Sequence, residues 1–499
     1  VIMAMYEILF AWYRYQEDSP SEVDTALSDA FRGLQIARAN RLTKFFKMQT
    51  NEAAKKDIID LKKYLTMSEA LGEISATGAV NKMQPTQALS RDYNFFDLKK
   101  IQSQIPWDTI MLVAYESDFN IHFALINSYW FDPMISTINK NELSKHMNIL
   151  LKSFKNGVPI GQFDYESASW IYSEIFGSEA DNKILDETVK NIVFLPSKTM
   201  FNFPISLLHN GQERLPQRFG EDPTYDPSGF LIDDYYISYA VNFSEDMFVT
   251  ADEFSLLVAR HKPVTSKSFF ALADPNIGNK NNSALRGINY IDIAQPNMEN
   301  LPFESLPETL EEVNAAAKYF TKNTVNILSG AAATKENILS ATTLNSDVLM
   351  FSTHGVSPGV IPGYDGSGLL LSLPNTPFES FSFEDILLTP DDVLGLSLDS
   401  DIVILNACNS GISDIANAPG LTGLAQSFLA AGSDAVMVSH WPISSATTVK
   451  ITKRMFENIQ QDPKTSFNRA LTDAQLSIKA DPKTQHPFYW APYNIYGNF

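Results

Sequence analysis

The chain has 499 residues, and at about 150 residues per domain this length predicts roughly three structural units. Apolar residues make up 44% and charged residues 19%, an ordinary globular composition that excludes a disordered or collagen-like chain. The 58 acidic residues outnumber the 38 basic ones, and the net charge of −20 disfavours binding to nucleic acid or anionic lipid. Because Cys408 is the single cysteine, neither an intrachain disulfide nor an all-cysteine metal site can form.

The opening of the chain indicates neither a membrane segment nor a signal peptide. Its most apolar stretch, residues 1–13, is too short to span a bilayer, contains Glu7 and lacks a basic leader. We therefore expect a cytoplasmic protein without membrane contact. Because the chain opens with Val1 rather than Met, we also expect further sequence upstream, in which a targeting segment could lie.

Residues 1–85 are predicted to form an all-helical, TPR-like module. The segment 19–22 (SPSE) is a helix-start signal, with a serine that can cap, a proline suited to the first helical position and a glutamate that completes a capping box. No second copy is visible at a period of ~34 residues. Basic residues outnumber acidic ones between Arg32 and Leu65, a pattern typical of a solvated helix face or of a docking surface for an acidic partner.

From residue 105 onward, apolar runs predict β-strands. Residues 110–115 and 121–126 flank a polar turn and predict a hairpin. Further strands are predicted at 192–195, 236–240, 269–273, 348–352, 402–405 and 435–438. Helical patterns alternate with the later strands at 309–321, 334–340, 421–431, 446–460 and 464–479, and residues 309–312 (TLEE) predict a capping box. This alternation predicts an α/β fold with a mostly parallel sheet flanked by helices.

Four predicted strands end in residues that could carry chemistry. These residues are Asp274; His354 and Gly355; Asn406 and Cys408; and Ser439, His440 and Trp441. Ligands collect outside the carboxyl ends of parallel strands, and a thiolate nucleophile needs a neighbouring base such as imidazole. A lone cysteine after an apolar strand is usually buried core, and a strand-end histidine is usually structural. Their joint placement at one edge nevertheless favours chemistry between a cysteine and a histidine.

Other features are interpreted as structural. The glycine-rich segment 363–368 does not open a helix and lacks a following lysine, so a flexible loop is favoured over a phosphate-binding loop. His486 lies in an aromatic, proline-bounded segment and is expected to pack, while Trp441 and Trp490 could be core or pocket wall. No zinc-binding spacing is present, so neither a metal nor a cofactor is expected.

Two motifs, at 351–355 (FSTHG) and 405–411 (LNACNSG), resemble the signatures of the CHAT family of caspase-like cysteine peptidases, which are associated with TPR repeats. The spacing of His354 and Cys408 is close to the ~50 residues that separate His and Cys in caspase-type proteases. Further matching segments are at 195–196, 203–204, 272–275, 306–307, 368–372, 439–442 and 486–492. The likeness covers roughly residues 90–499.

The resemblance implies a caspase/separase fold, with a degenerate half at 90–265 and a catalytic half at 266–499. It implies peptide-bond hydrolysis by a dyad in which His354 is the base and Cys408 the nucleophile. The backbone N–H groups of Gly355 and Cys408 would line the oxyanion hole, and Asp274 is a candidate orienter of the histidine.

The resemblance also suggests the substrate-binding residues, which are Asn406, Ser439, Trp441, Pro442 and Ser445. Relatives that cut after Arg or Lys carry acids at positions equivalent to 406 or just after the tryptophan, and these acids are absent here. A remote acid such as Asp365 or Asp434 could substitute. We therefore expect an uncharged, small or apolar residue before the scissile bond, because a buried cation without an acid is disfavoured.

The sequence thus predicts a cysteine endopeptidase that acts on a protein substrate in bacterial-type signalling or defence. Glycine-containing loops at 358–368 and 411–419 flank the two dyad residues, and such loops can order or disorder a site at small energetic cost. We expect a regulatory protein to bind the helical module and to control activity. The alternative is a catalytically dormant adaptor with a peptidase fold, which acts through protein–protein interaction.

Overall fold

The computed structural model describes most of the chain beyond residue 101. The predicted helical module at 1–85, Cys408, Pro442 and the loop at 411–419 lie outside the described residues. The backbone alone is described at 133–134 and 285–286. The described residues are 102–103, 105–116, 119–152, 154, 163–177, 188–211, 228–240, 267–277, 285–286, 303, 305–340, 344, 346–356, 366–373, 382–407, 423–441 and 443–497.

The described strands form one large sheet and two small ones. The strands are β1 (Thr109–Glu116), β2 (Asn120–Ile126), β3 (Phe131–Asn139), β4 (Asn191–Leu195), β5 (Tyr236–Tyr239), β6 (Phe269–Pro275), β7 (Leu285–Arg286), β8 (Val325–Gly330), β9 (Val348–Ser352), β10 (Gly355–Val356), β11 (Gly368–Leu370), β12 (Leu387–Leu388), β13 (Ile402–Leu405), β14 (Ala435–Ser439), β15 (Ile443–Ser444) and β16 (Tyr493–Gly497). Within the described part of the chain, the large sheet has eleven strands in the order β3-β2-β1-β4-β5-β16-β14-β13-β9-β6-β8. The small sheets are β10-β11-β12 and β7-β15.

The large sheet is mixed and mostly parallel, as the sequence predicted. The hairpin β1-β2 and the edge strand β3 are antiparallel, and β14 pairs antiparallel with β16. The remaining neighbours in this sheet pair in parallel. Every predicted strand forms. The strands β9 and β13 are buried along their whole length, which explains their unbroken apolar runs.

Helices cover the sheet. They are α1 (Lys140–Lys152), α2 (Tyr165–Phe176), α3 (Leu231–Asp234), α4 (Pro307–Ala317), α5 (Lys335–Ser340), α6 (Pro390–Leu394), α7 (Gly423–Ala430), α8 (Ser445–Gln461), α9 (Phe467–Lys479) and α10 (Pro487–Trp490). Phe456 of α8 packs on Phe269, and Phe428 of α7 packs on Phe351. Because Phe269 pairs with Val348, three residues before Phe351, these two contacts lie on opposite faces. Among the described residues, no helix is long and apolar enough to cross a bilayer.

The predicted capping box at 309–312 is wrong. Helix α4 begins two residues earlier, at Pro307, because proline suits the first helical position. The Thr309 hydroxyl therefore lies inside the first turn, where it donates to Leu306 O (2.6 Å) and accepts from Asp274 N (2.8 Å). The Glu312 side chain is fully buried and makes tertiary contacts instead.

Strand β16, which the sequence analysis did not predict, joins the two groups of strands. It pairs with β14 on one side and with β5 on the other, so the sheet is continuous from residue 109 to the C-terminal strand. Tyr496 lies fully buried in it and donates to Phe201 O (2.8 Å). An ion pair between Lys479 of α9 and Asp233 of α3 links the same two groups of strands. One hydrophobic core therefore runs through both.

Candidate active site

Three strand ends lie side by side at the carboxyl edge of the sheet. Strands β9 and β13 are parallel neighbours in which Phe351 pairs with Leu405, and β14 lies beyond β13. The backbone N–H of Asn406 donates to Phe351 O at 2.9 Å, which continues this ladder past the last paired residue. The end of the strand before Cys408 therefore lies beside the segment that carries His354.

His354 is almost fully buried, with 2% of its surface exposed. The ring of Phe303 packs against its imidazole with centroids 5.3 Å apart. The His354 carbonyl accepts from Leu370 N (2.9 Å), and Thr353 Oγ1 donates to Leu370 O (2.7 Å). These two bonds join the histidine segment to β11. An apolar cluster adjoins it, formed by Ile277, Phe303, Val356, Leu370, Ile386 and Leu387.

Gly355 follows the histidine at the edge of a small sheet. It pairs antiparallel with Leu369, and the bond from Leu370 N to His354 O flanks that pair. Such flanking bonds identify the pair as the non-hydrogen-bonded kind, in which the amides of the paired residues point away from each other. The Gly355 N–H is therefore directed away from β11, toward the edge of β10 that bears no strand among the described residues.

Asn406 is fully buried and its side chain points into the core. Its Nδ2 donates to Glu312 Oε1 on α4, and Thr452 Oγ1 on α8 donates to the same carboxylate oxygen at 2.9 Å. The amide nitrogen also lies 3.3 Å from Thr452 Oγ1. In this structure the Asn406 side chain therefore anchors the end of β13 to helices α4 and α8.

The three other predicted pocket residues that the structure describes are buried and hydrogen-bonded. Ser439 Oγ donates to Ala407 O at 2.6 Å, and Trp441 Nε1 donates to Phe488 O at 3.0 Å. Ser445, the first residue of α8, donates to Glu308 Oε1 at 2.6 Å. Trp441 is thus buried with its indole N–H bonded, and Ser445 links the first turns of α8 and α4.

Asp274, the residue before the last one of β6, has a strained backbone conformation. Its φ of 42° lies in the left-handed region, which a non-glycine residue seldom adopts and which clusters at functional sites. Its N–H donates to Thr309 Oγ1, and its Oδ1 accepts from Ser305 Oγ at 3.3 Å. These bonds hold the carboxylate against the segment that leads into α4.

Asp434, one of the two remote acids considered as a specificity residue, lies at the wrong edge. It precedes the first residue of β14, and its N–H donates to Ser400 O (2.8 Å) just before β13. Both positions are at the amino ends of their strands, a strand length away from His354. Asp434 is therefore excluded as a substitute acid, and Asp365 lies outside the described residues.

His440, the other histidine at this edge, is unsuited to act as a base. Burial lowers its pKa from 6.5 to about 3, because desolvation disfavours the imidazolium. Asn494 Nδ2 donates to its Nε2 at 2.9 Å, and Tyr496 Oη lies 3.4 Å from the same nitrogen. The ring is therefore neutral and held between β14 and β16.

Sequence reasoning missed Phe303, Glu308 and Glu312. The two glutamates are one turn apart on α4, and Glu312 precedes the buried Val313. An acid on the apolar face of an amphipathic helix was the available signal, because buried carboxylates are seldom found without partners. Phe303 gave no such signal.

The domain model described as "CHAT domain" matches residues 165–498, which is more than half of the chain. A curated relative, tetratricopeptide repeat protein 28 of Homo sapiens, is 30% identical over 195 residues, covering 34% of this chain and 8% of its own length. The Mus musculus protein of the same name is 27% identical over 195 residues with the same coverage. This chain therefore matches only a small part of these relatives.

Solved structures of cysteine proteinases are distant neighbours. Saccharomyces cerevisiae separase, solved with securin, has a TM-score of 0.45 at 10% identity, covering 99% of this chain and 37% of that chain. The Arg-specific cysteine proteinase gingipain R has a TM-score of 0.37 at 9% identity, covering 79% of this chain and 78% of that chain. The match to the domain model, which includes both motif-bearing strand ends, establishes that this chain belongs to the CHAT domain family.

Proposed function

We propose that this protein is a cysteine endopeptidase with a dyad of Cys408 and His354. His354 takes the thiol proton, and the Cys408 sulfur attacks the carbonyl carbon of the scissile peptide bond. The carbon–nitrogen bond then breaks as His354 donates the proton to the leaving amine. Water attacks the resulting thioester, with His354 as base, and releases the acid product and the free thiol.

The proposal is carried by the parallel pairing of β9 with β13. This pairing brings His354 beside the strand that leads, two residues after Asn406, to the single cysteine of the chain. Membership of the CHAT domain family supports the same reaction. The low pKa of His440, which makes it a weak base, and the bond from Asn494 to its Nε2 support His354 as the base over the other histidine at this edge.

The proposed oxyanion hole consists of the backbone N–H groups of Gly355 and Cys408. The direction of the Gly355 amide, away from its strand partner, supports its share of this role because such a donor is available to a developing oxyanion. Asp274 remains the proposed orienter. Its strained backbone supports a functional assignment, although its described bonds are to Ser305 and Thr309.

We propose cleavage after an uncharged residue. Asn406 and Ser445, at positions where a basic specificity would need acids, are neutral and buried. The remaining proposed contacts are Ser439, Trp441 and Pro442. Glu308 is half-buried and accepts from Ser445 Oγ. If cleavage after a basic residue is found, Glu308 is the acid that we expect to pair with that residue.

We further propose that activity toward its protein substrate is controlled by a protein partner bound to the helical module at 1–85. The name of the human relative refers to tetratricopeptide repeats, which supports a TPR-like module in this chain. The nearly complete burial of His354 supports a latent resting state. Deleting residues 1–85 tests this control: partner-independent activity unchanged by the deletion would overturn it.

A dormant adaptor is the second candidate, and one observation favours it. A base that keeps 2% of its surface exposed, with Phe303 against its ring, cannot reach a substrate without a rearrangement. A chain in which that rearrangement never occurs would act through its surfaces alone.

A thiol-reactive peptide probe separates the two candidates. We expect covalent labelling of the full chain at Cys408, detected by mass spectrometry, and its loss in Cys408→Ala. His354→Ala, which leaves the thiol in place, controls for simple thiol exposure and should strongly slow the labelling. Labelling that is equally fast in His354→Ala, or absent with and without added partners, would refute the peptidase.

A further inference from the structure

Glu312 is a carboxylate without exposed surface in the middle of α4. Removing an ionised group from water is unfavourable unless hydrogen bonds replace its hydration. Its Oε1 accepts from Asn406 Nδ2 and from Thr452 Oγ1, and the amide nitrogen also lies 3.3 Å from that hydroxyl. The three side chains form a closed ring, called here the Glu312 ring, which joins α4, α8 and the end of β13.

The end of β13 is held on its other sides as well. Asn406 N donates to Phe351 O of β9 at 2.9 Å. The next carbonyl, Ala407 O, accepts from Ser439 Oγ at the end of β14 at 2.6 Å. The backbone on both flanks and the Asn406 side chain are thus fixed immediately before Cys408. The side-chain bonds of Asn406, to Glu312 of α4 and to Thr452 of α8, come from outside the sheet.

We propose that Glu312 is a positioning residue for Cys408. Through the Asn406 amide it fixes the point and the direction in which the chain leaves β13. This inference rests on the proposed function, in which Cys408 is the nucleophile. A near-attack geometry between two reactive groups depends strongly on such placement.

The chemistry of the ring explains why an acceptor is needed at this position. An apolar residue at 312 would leave the amide of Asn406 without this acceptor, and the amide would turn toward other partners. Glutamine has the same length and offers a carbonyl oxygen where Glu312 has Oε1. Glu312→Gln should therefore preserve the ring, whereas Glu312→Ala should break it.

Alkylation of the single cysteine tests the positioning without relying on proteolysis. The reaction is run at roughly pH 9.5, where an ordinary thiol, with a pKa of about 8.5, is mostly ionised. The rate of iodoacetamide modification then reports how Cys408 is placed. The reactivity of a thiolate depends on its surroundings, so a misplaced Cys408 should react at a different rate. We expect Glu312→Ala to change this rate about tenfold and Glu312→Gln to stay within about twofold. Glu311→Ala, on the exposed side of the same helix, is the matched control.

Peptide turnover supplies the second readout. Glu312→Ala should lower kcat by on the order of 10²-fold with KM little changed, the cost of misplacing a reacting group by about an ångström. Asn406→Ala should cause the same loss. The double variant should be no worse than either single one, because residues that act through one contact are not additive.

The outcomes are decisive in both directions. If Glu312→Ala melts at a lower temperature but alkylates like the wild type, Glu312 only stabilises the fold and the proposal is overturned. A Glu312→Gln variant that behaves like Glu312→Ala would also overturn it. If Glu312→Ala does not fold, Thr452→Val is the substitute variant. It removes the two bonds of the Thr452 hydroxyl, leaves the bond between Asn406 and Glu312, and should shift the alkylation rate in the same direction. Absent turnover in the wild type would refute the peptidase, while the alkylation comparison still decides the role of Glu312.

Discussion

The Phe303 ring packs against the imidazole of His354, with the two ring centroids 5.3 Å apart. Phe303 belongs to the apolar cluster beside the site, and His354 is almost fully buried. In the proposed mechanism the base must reach the thiol and the leaving group, so this contact would act as a barrier to the reaction.

We expect Phe303→Ala to uncover His354. The rate at which diethylpyrocarbonate modifies His354, followed by mass spectrometry, should rise severalfold, and peptide turnover by the full chain should rise with it. Removing a buried phenylalanine costs about 3–5 kcal/mol, so the folded fraction must be confirmed by circular dichroism. Phe303→Leu keeps most of the bulk and should resemble the wild type. An unchanged modification rate in a folded Phe303→Ala protein would refute the barrier.

The two histidines at the edge should differ sharply in their effect on activity. Losing a general base costs on the order of 10²–10⁴-fold in rate, and we expect a loss of this size in His354→Ala. We expect a much smaller loss in His440→Ala, because the low pKa of that ring makes it a weak base and its Nε2 is bonded to Asn494. Cys408→Ala should abolish turnover and leave the fold intact. Equal losses from both histidine variants, measured as kcat/KM on one peptide, would contradict the assignment.

A peptide library should show cleavage after small or apolar residues. The physical reason is that Asn406 and Ser445 offer no charge to a buried cation, and an unpaired buried charge is costly. The measurement is the product profile of the activated full chain. Enrichment of Arg or Lys before the cut would contradict this expectation. In that case Glu308→Gln should abolish the basic preference and spare cleavage after apolar residues.

Acid should destabilise the protein through His440. Its pKa is about 3 in the fold and about 6.5 in the unfolded chain, so between these values only the unfolded state binds the proton. Stability must therefore fall as pH drops below about 6.5, by about 2 kcal/mol at pH 5 from this group alone. His440→Gln cannot titrate there.

Denaturant unfolding at about pH 7.5 and pH 5 measures the difference. The wild type should lose about 2 kcal/mol more than His440→Gln between the two values. All other histidines are common to both proteins, so their contributions cancel. Equal losses would indicate that the His440 ring is protonated in the folded state.

The amino-acid sequence by itself determined most strands of the large sheet, the family and the edge at which chemistry is expected. Apolar runs such as 348–352 and 402–405 predict buried parallel strands because each residue packs against a covered face. The motifs around His354 and Cys408 follow these strands directly. Strands and motifs are local features, so the residues within a short segment are enough to predict them.

Tertiary structure alone decided which side chains face one another. Glu312 looked like a helix cap, yet it bonds Asn406, 94 residues along the chain. Strand β16, which is absent from the predicted strands, completes the middle of the sheet because the edges of β5 and β14 need a partner there. His440 and His354 look alike in sequence and are both buried, and their partners distinguish them: Asn494 bonds the His440 ring, whereas Phe303 packs against the His354 ring. Long-range packing sets which polar groups lose water, and no local pattern encodes that loss.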